Sequence, residues 1–140
     1  MDDPHGLARF VEAQRDSYER ALSELRAGAK RSHWMWFVFP QVAGLGLSPM
    51  ARRYAIASLD EARAYLAHPI LGERLRACTD AVNGVSGRTA NEVFGAPDDT
   101  KFRSSMTLFA HADPADARFR AALDRYYGGG EDPRTVEILG

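Results

Sequence analysis

One segment of the chain, from Ser32 to Pro40, has the aromatic and β-branched content that is typical of a β-strand. No second run of this kind exists elsewhere in the sequence. A lone strand leaves its backbone N–H and C=O groups without the partners that a sheet provides. We therefore expect this segment to be buried and either irregular or briefly helical, and we expect an all-α fold.

Outside this segment the apolar residues recur at helical spacing. Residues that commonly cap or begin helices precede the apolar runs, at Ser48-Pro49, Ser58, Thr89, Asp113-Pro114 and Asp132-Pro133. These two signals together predict helices near residues 5–27, 49–57, 59–67, 70–83, 90–94, 98–110, 115–127 and 133–139.

Composition favours one compact multihelical domain over residues 1–140, because that length suits a single domain. Hydrophobic residues make up 45% and charged residues 26%, which argues against disorder. A formal net charge of −1 gives no field that favours nucleic acid or an anionic membrane. The N-terminus has no apolar signal-like run, and the longest apolar stretch, residues 34–39, is too short to span a bilayer. We therefore expect a cytoplasmic protein without membrane association.

Two long motifs are distinctive, one over residues 30–41 (KRSHWMWFVFPQ) and one over residues 102–109 (FRSSMTLF). Together with Arg9-Phe10 and Ala13-Gln14, they resemble a bacterial family known as domain of unknown function 1810. The resemblance covers nearly the whole chain and implies a multihelical fold without implying an activity. Members are sometimes labelled calpastatin, but that label does not fit, because calpain inhibitors of that name are disordered and this chain has the composition of a packed core.

A polar row interrupts the apolar face of the helix predicted at 98–110. At about 100° per residue, Asp98, Lys101 and Ser105 fall on one side of that helix, among apolar neighbours. One interpretation is that Asp98 serves the helix N-terminus while Lys101 extends to water. The other is that the row lines a cleft, with Lys101 meeting an anion and Asp98 acting as base or anchor. Asp98 and Lys101 are therefore the candidate catalytic residues, with Ser104 and Ser105 as candidate ligand contacts.

The segment 30–41 combines cations with aromatic rings, a mixture that suits stacking on a planar ring beside a phosphate or carboxylate. Its candidate ligand-binding residues are Lys30, Ser32, His33, Trp34 and Trp36. The alternative is that these aromatic residues are simply core. Gln14, which lies within the apolar face of the first predicted helix, either contacts the same ligand or hydrogen-bonds a loop backbone.

No spacing typical of a metal site is found, so the sequence predicts neither a metal nor a cofactor. The single cysteine, Cys78, excludes an internal disulfide and occupies a position expected for an inert core residue.

Two hypotheses of different classes follow. In the first, the segment 30–41, Gln14 and residues 98–105 form a cleft for a small anionic, ring-containing, nucleotide-like metabolite, with N-glycosidase-type hydrolysis as a possible activity. In the second, the domain is a non-catalytic binding or protein-interaction module, which an exposed aromatic patch would favour. Whether the protein is an enzyme, which ligand it takes and its oligomeric state stay open at this point.

Overall fold

A computed structural model describes residues 3–140, and within that range the chain forms ten helices and no β-strand. The all-α fold is thereby confirmed. One isolated parallel β-bridge joins Val42 to Ile56. The helices are α1 (Ala8–Gln14), α2 (Tyr18–Arg26), α3 (Met35–Val38), α4 (Pro49–Arg53), α5 (Leu59–Ala67), α6 (Leu71–Asn83), α7 (Ala90–Phe94), α8 (Asp98–Ala112), α9 (Ala117–Tyr127) and α10 (Pro133–Leu139).

Most of the predicted helix starts are confirmed by the hydrogen bonds that cap them. The side chains of Ser48, Ser58, Thr89 and Asp132 each accept the backbone N–H three residues further on. The start predicted at Asp113-Pro114 is wrong, because α8 continues through Ala112 and α9 is capped by Asp116 instead.

The helix predicted over residues 5–27 is two helices, α1 and α2, separated by a turn at residues 15–17. The Ser17 hydroxyl donates to the Ala13 carbonyl, and the Ser17 carbonyl accepts from Ala21 in the first turn of α2. No proline or glycine marks this break. Serine competes for backbone groups in this way, and such competition is what allows a helix to end without a breaker residue.

The helix predicted over 49–57 also ends early, at Arg53. The residues after α4 are not helical, and Ile56 forms backbone hydrogen bonds with the loop that follows the aromatic segment. Ile56 donates its N–H to the Gln41 carbonyl at 2.9 Å, and Ala43 donates to the Ile56 carbonyl at 2.8 Å. This bridge anchors the loop at residues 41–47, which lies next to the site described below.

The core is one cluster of buried side chains, with α8 packed against α5, α7, α9 and α10. The aromatic segment enters this core as expected, through the single helical turn of α3. Its buried side chains are Trp34, Met35, Phe37, Val38 and Phe39, while Trp36 is half-buried. The segment thus lies against the beginning of α8, which brings two distant motifs together.

Candidate functional site

A single carboxylate, that of Glu24 on α2, holds the start of the aromatic segment. It accepts the backbone N–H groups of Arg31 at 2.7 Å and Ser32 at 3.0 Å, together with the Ser32 hydroxyl and the Trp34 indole N–H. Burial raises the pKa of Glu24, but hydrogen bonds from Ser32, Arg31 and Trp34 favour the ionised form more strongly and lower the pKa to about 2. Glu24 therefore stays ionised and fixes the path of this loop.

The loop that Glu24 holds places a lysine in a nearly enclosed position. The Lys30 side chain is 7% exposed, and its ammonium lies 2.9 Å from Asp98 Oδ2 at the start of α8. It also donates to the Ser32 carbonyl at 2.5 Å and lies 5.0 Å from the centre of the Trp34 ring. A buried charge is costly unless it is paired, and Asp98 supplies that pairing.

Asp98 also faces the second lysine of the chain. Lys101 Nζ lies 3.7 Å from Asp98 Oδ1, which is longer than the Lys30 contact. Lys101 and Asp98, three positions apart on α8, are therefore paired, but Lys30 is the nearer partner. The Lys101 ammonium also lies 5.5 Å from the centre of the Trp36 ring. The Asp98 carboxylate thus connects two lysine–tryptophan pairs.

These groups surround a cavity of about 290 Å³, lined by Lys30, His33, Met35, Trp36, Ala96, Pro97, Asp98 and Lys101. Two ammonium groups face one carboxylate there, so the lining carries an excess of positive charge before His33 is counted. The Trp36 ring and the Met35 side chain supply apolar surface. Positive charge beside an indole is a combination that can hold an anion attached to a planar ring.

Five of the predicted site residues meet at this cavity, namely Lys30, His33, Trp36, Asp98 and Lys101. Gln14 does not join them. It is buried, and its amide donates to the Phe37 carbonyl at 2.7 Å and to the Tyr65 hydroxyl at 3.1 Å. Gln14 therefore bonds a backbone carbonyl, as in the alternative interpretation, but this carbonyl lies in α3 and not in a loop.

The other four predicted residues also lie outside this cavity. Trp34 is a core side chain, and Ser32 uses its hydroxyl on Glu24. Ser104 donates to the Thr100 carbonyl at 3.2 Å and lines a neighbouring cavity. Ser105 is fully buried, and its hydroxyl finds no hydrogen-bond partner among the residues that the structure describes.

Sequence reasoning missed Glu24. It is one of several acidic residues on predicted helical surface, and nothing in its own spacing distinguishes it. The signal that could have indicated an acceptor such as Glu24 lies later in the sequence. The Trp34 indole and the backbone of Arg31 and Ser32 carry N–H groups that need an acceptor once that segment is buried.

Other candidate chemistry is limited. Burial raises the pKa of the Cys78 thiol to about 12, so this cysteine is not a reactive nucleophile. Within residues 3–140 no group of three histidine, cysteine or acidic side chains is placed to hold a metal ion. None of the helices in that range combines the length and the hydropathy needed to cross a bilayer.

The fold and the site define a class of all-α, multihelical domain with a lysine–carboxylate–tryptophan cavity. The chain belongs to the family described as Protein of unknown function (DUF1810), whose model matches residues 4–139. This confirms the resemblance carried by the two motifs. The structure is similar to the crystal structure of a conserved hypothetical protein from Mycobacterium tuberculosis, with 60% sequence identity, a TM-score of 0.97 and coverage of 98% of each chain. No curated protein matches the chain.

Proposed function

We propose that this protein binds a small anionic, ring-containing metabolite of nucleotide-like chemistry in the cavity between α3 and the start of α8. The observation that carries the proposal is that the Lys101 ammonium and the Trp36 ring line the same cavity. The ring of the ligand stacks on the exposed side of Trp36, and its anionic group takes Lys101 away from the long contact with Asp98. His33, which is exposed at the rim, adds a further donor.

Binding fits this geometry better than turnover does. Both oxygens of Asp98 face ammonium groups, so neither is free to contact a nucleophile or a reacting atom. Hydrolysis of an N-glycosidic bond is the catalytic version of the proposal, with Asp98 stabilising the developing positive charge on the sugar. Release of free base by the native protein, and its loss in Asp98→Asn, would assign that activity.

A protein-interaction module has less support. Every aromatic side chain of residues 3–140 is buried or half-buried. The large apolar side chains that are exposed in that range, Leu47, Ile70 and Ile138, include no aromatic residue. The exposed aromatic patch that would favour a protein partner is therefore not formed by this part of the chain.

The proposal is tested by thermal unfolding with adenosine monophosphate as the probe. A ligand present at about one hundred times its dissociation constant stabilises the folded state by about 2.7 kcal/mol, so a bound nucleotide gives a clear rise in Tm. We expect Lys101→Ala to weaken binding by at least about tenfold, because an ion pair to the phosphate is lost. Arg20→Ala, which removes an exposed charge on α2, is the matched control.

Liquid chromatography of the same samples, after incubation with adenosine monophosphate, shows whether free adenine is released. If neither adenosine monophosphate nor simpler aromatic carboxylates and phosphates change the Tm, the proposed ligand class is wrong. If they bind equally well to native protein and Lys101→Ala, the cavity at Trp36 is not the binding site.

A further inference from the structure

A second cavity, of about 220 Å³, shares Lys101 and Pro97 with the first. Its lining comes from the loop after the aromatic segment, from one side of α8 and from the start of α10, and includes Gln41, Gly46, Lys101, Ser104, Asp132 and Arg134. The two cavities therefore adjoin at the lysine to which the proposed function assigns the anion. The second one is built differently, because its lining includes several polar groups and no aromatic ring.

Asp132 is the most informative of these groups. It is 9% exposed, and its Oδ2 accepts the backbone N–H of Thr135 at 3.0 Å and the Thr135 hydroxyl at 2.6 Å. Its own N–H donates to the Thr107 hydroxyl at 2.9 Å. These bonds hold the residue in place, yet its Oδ1 accepts no hydrogen bond from any of residues 3–140. This oxygen is not one of the fully buried polar atoms that lack a partner, so it stays accessible to a donor that enters the cavity.

Two neutral groups beside Asp132 also have unused hydrogen-bonding capacity. The Gln41 side chain makes no hydrogen bond within the described chain, whereas its backbone carbonyl is fixed by the 2.9 Å bond from Ile56. An amide both donates and accepts. Ser104 donates its hydroxyl proton to Thr100, which leaves its oxygen free to accept. The cavity thus offers acceptors on Asp132 and Ser104 and both functions on Gln41.

A carboxylate next to an amide selects neutral hydroxyl groups, since an anion placed there would be repelled by Asp132. The cations that line the same cavity, Lys101 and Arg134, suit a phosphate. We propose that the second cavity is a subsite for the vicinal diol of a sugar phosphate, bound through Asp132 and Gln41 with the phosphate toward Lys101 and Arg134. This inference names the substrate class of the proposed site as phosphorylated ribosyl compounds, and it rests on the proposed function only through the shared Lys101.

The test uses probes that lack an aromatic ring, so that the first cavity contributes little. Ribose 5-phosphate and 2-deoxyribose 5-phosphate are titrated into isotopically labelled full-length protein, and backbone amide shifts are followed by NMR. We expect ribose 5-phosphate to shift the signals of Gln41, Gly46 and Asp132. Removal of the 2-hydroxyl should weaken binding by about tenfold, the effect of losing one hydrogen bond to a charged group.

Asp132→Asn is the decisive variant. Asparagine caps a helix about as well as aspartate does, so α10 is preserved while the free acceptor becomes a donor. The charged acceptor is lost while the amide N–H can still donate to a hydroxyl oxygen, so the preference for ribose 5-phosphate over its deoxy form should fall well below that of the native protein. Asp60→Asn makes the same chemical change at an exposed site on α5 and should leave the preference intact. Gln41→Ala gives a second reading should Asp132→Asn unfold, and the preference should fall there as well.

The outcomes separate the two proposals. Equal affinity for both sugar phosphates, or no shift with either at tens of millimolar, overturns the diol subsite. If adenosine monophosphate still binds through Lys101 in that case, the proposed function stands without the subsite. Discrimination between the sugar phosphates without any binding of adenosine monophosphate keeps the subsite and overturns the stacking of a ring on Trp36.

Discussion

The two tryptophans of the aromatic segment lie two residues apart and have opposite environments. Trp34 is 1% exposed, packs against Phe39 and donates its indole N–H to Glu24. Trp36 is half-buried and forms a wall of the cavity. Each ring has a lysine nearby, Lys30 at 5.0 Å and Lys101 at 5.5 Å. The same pair of residue types therefore appears once with the ring buried in the core and once with the ring lining a cavity.

Asp98 lies at different distances from the two lysines. The enclosed Lys30 binds one of its oxygens at 2.9 Å, and Lys101 reaches the other only at 3.7 Å. The Lys30–Asp98 pair is the more buried and holds the carboxylate in place, because the Lys30 side chain is 7% exposed and the Lys101 side chain is 25% exposed. The longer Lys101–Asp98 contact therefore contributes little to stability. We call Lys30 with Trp34 the enclosed pair and Lys101 with Trp36 the open pair. Truncating a side chain of the enclosed pair should therefore lower the free energy of unfolding, and truncating a side chain of the open pair should lower ligand affinity.

The largest effect is expected from truncating the two tryptophans. Trp34→Ala should lower the free energy of unfolding by about 4 kcal/mol, because it leaves a core cavity and removes the hydrogen bond to Glu24. Trp36→Ala should cost about 1 kcal/mol or less and should abolish ring binding. Urea unfolding and nucleotide titration of both variants give the two values. Similar stability losses in the two variants would contradict the division into an enclosed and an open pair.

Local chemistry explains why much of the fold was predictable. Ser48, Ser58, Thr89 and Asp132 each cap a helix through a contact three residues away, which a sequence shows directly. The break at residues 15–17 was missed because no residue type there forbids a helix. It accompanies the long-range anchoring of Gln14 to Phe37 and Tyr65, which no local pattern reports.

The candidate site likewise has one contact that the sequence predicts and one that only tertiary packing creates. The closeness of Asp98 and Lys101 followed from their spacing on one helix. The nearer partner, Lys30, lies 68 positions from Asp98 in sequence, and only the packing of the aromatic segment against α8 brings them together. Trp34 and Trp36 were equal candidates for ligand binding in the sequence. Residue type does not reveal that the loop held by Glu24 places Trp34, and not Trp36, in the core.

The second prediction concerns the carboxylate that turns Trp34 inward. Glu24→Gln should lower the free energy of unfolding by about 2 kcal/mol, because an amide nitrogen would face donors that now share a carboxylate. The pKa of Glu24 is about 2 in the folded protein and ordinarily 4.5. Its stabilisation is therefore complete above pH 4.5 and is lost as the pH falls from 4.5 toward 2.

Urea unfolding at neutral pH and at pH 3 measures the stability loss in Glu24→Gln and its pH dependence. A pH of 3 lies roughly midway between the ordinary and the folded-state pKa of Glu24. Native protein should lose stability on acidification more steeply than Glu24→Gln does. Glu12→Gln is the control, since the Glu12 carboxylate on α1 is exposed and pairs with Arg15, the residue that follows this helix. A variant at position 24 as stable as this control would show that the loop holds its shape without Glu24.

The smallest effects separate the two lysines. Arginine keeps the charge but is larger and spreads it over a plane, so it fits poorly where an ammonium is enclosed. Lys30→Arg should cost about 1 kcal/mol, because a larger planar group replaces an ammonium that contacts Asp98, the Ser32 carbonyl and the Trp34 ring. Lys101→Arg, at 25% exposure, should change the free energy of unfolding by less than about 0.5 kcal/mol while altering affinity for adenosine monophosphate. These are the two lysines among 18 basic residues of the sequence. If Lys101→Arg leaves both stability and affinity unchanged, a compact point charge is not needed at the cavity, and the distinction between the two pairs reduces to burial alone.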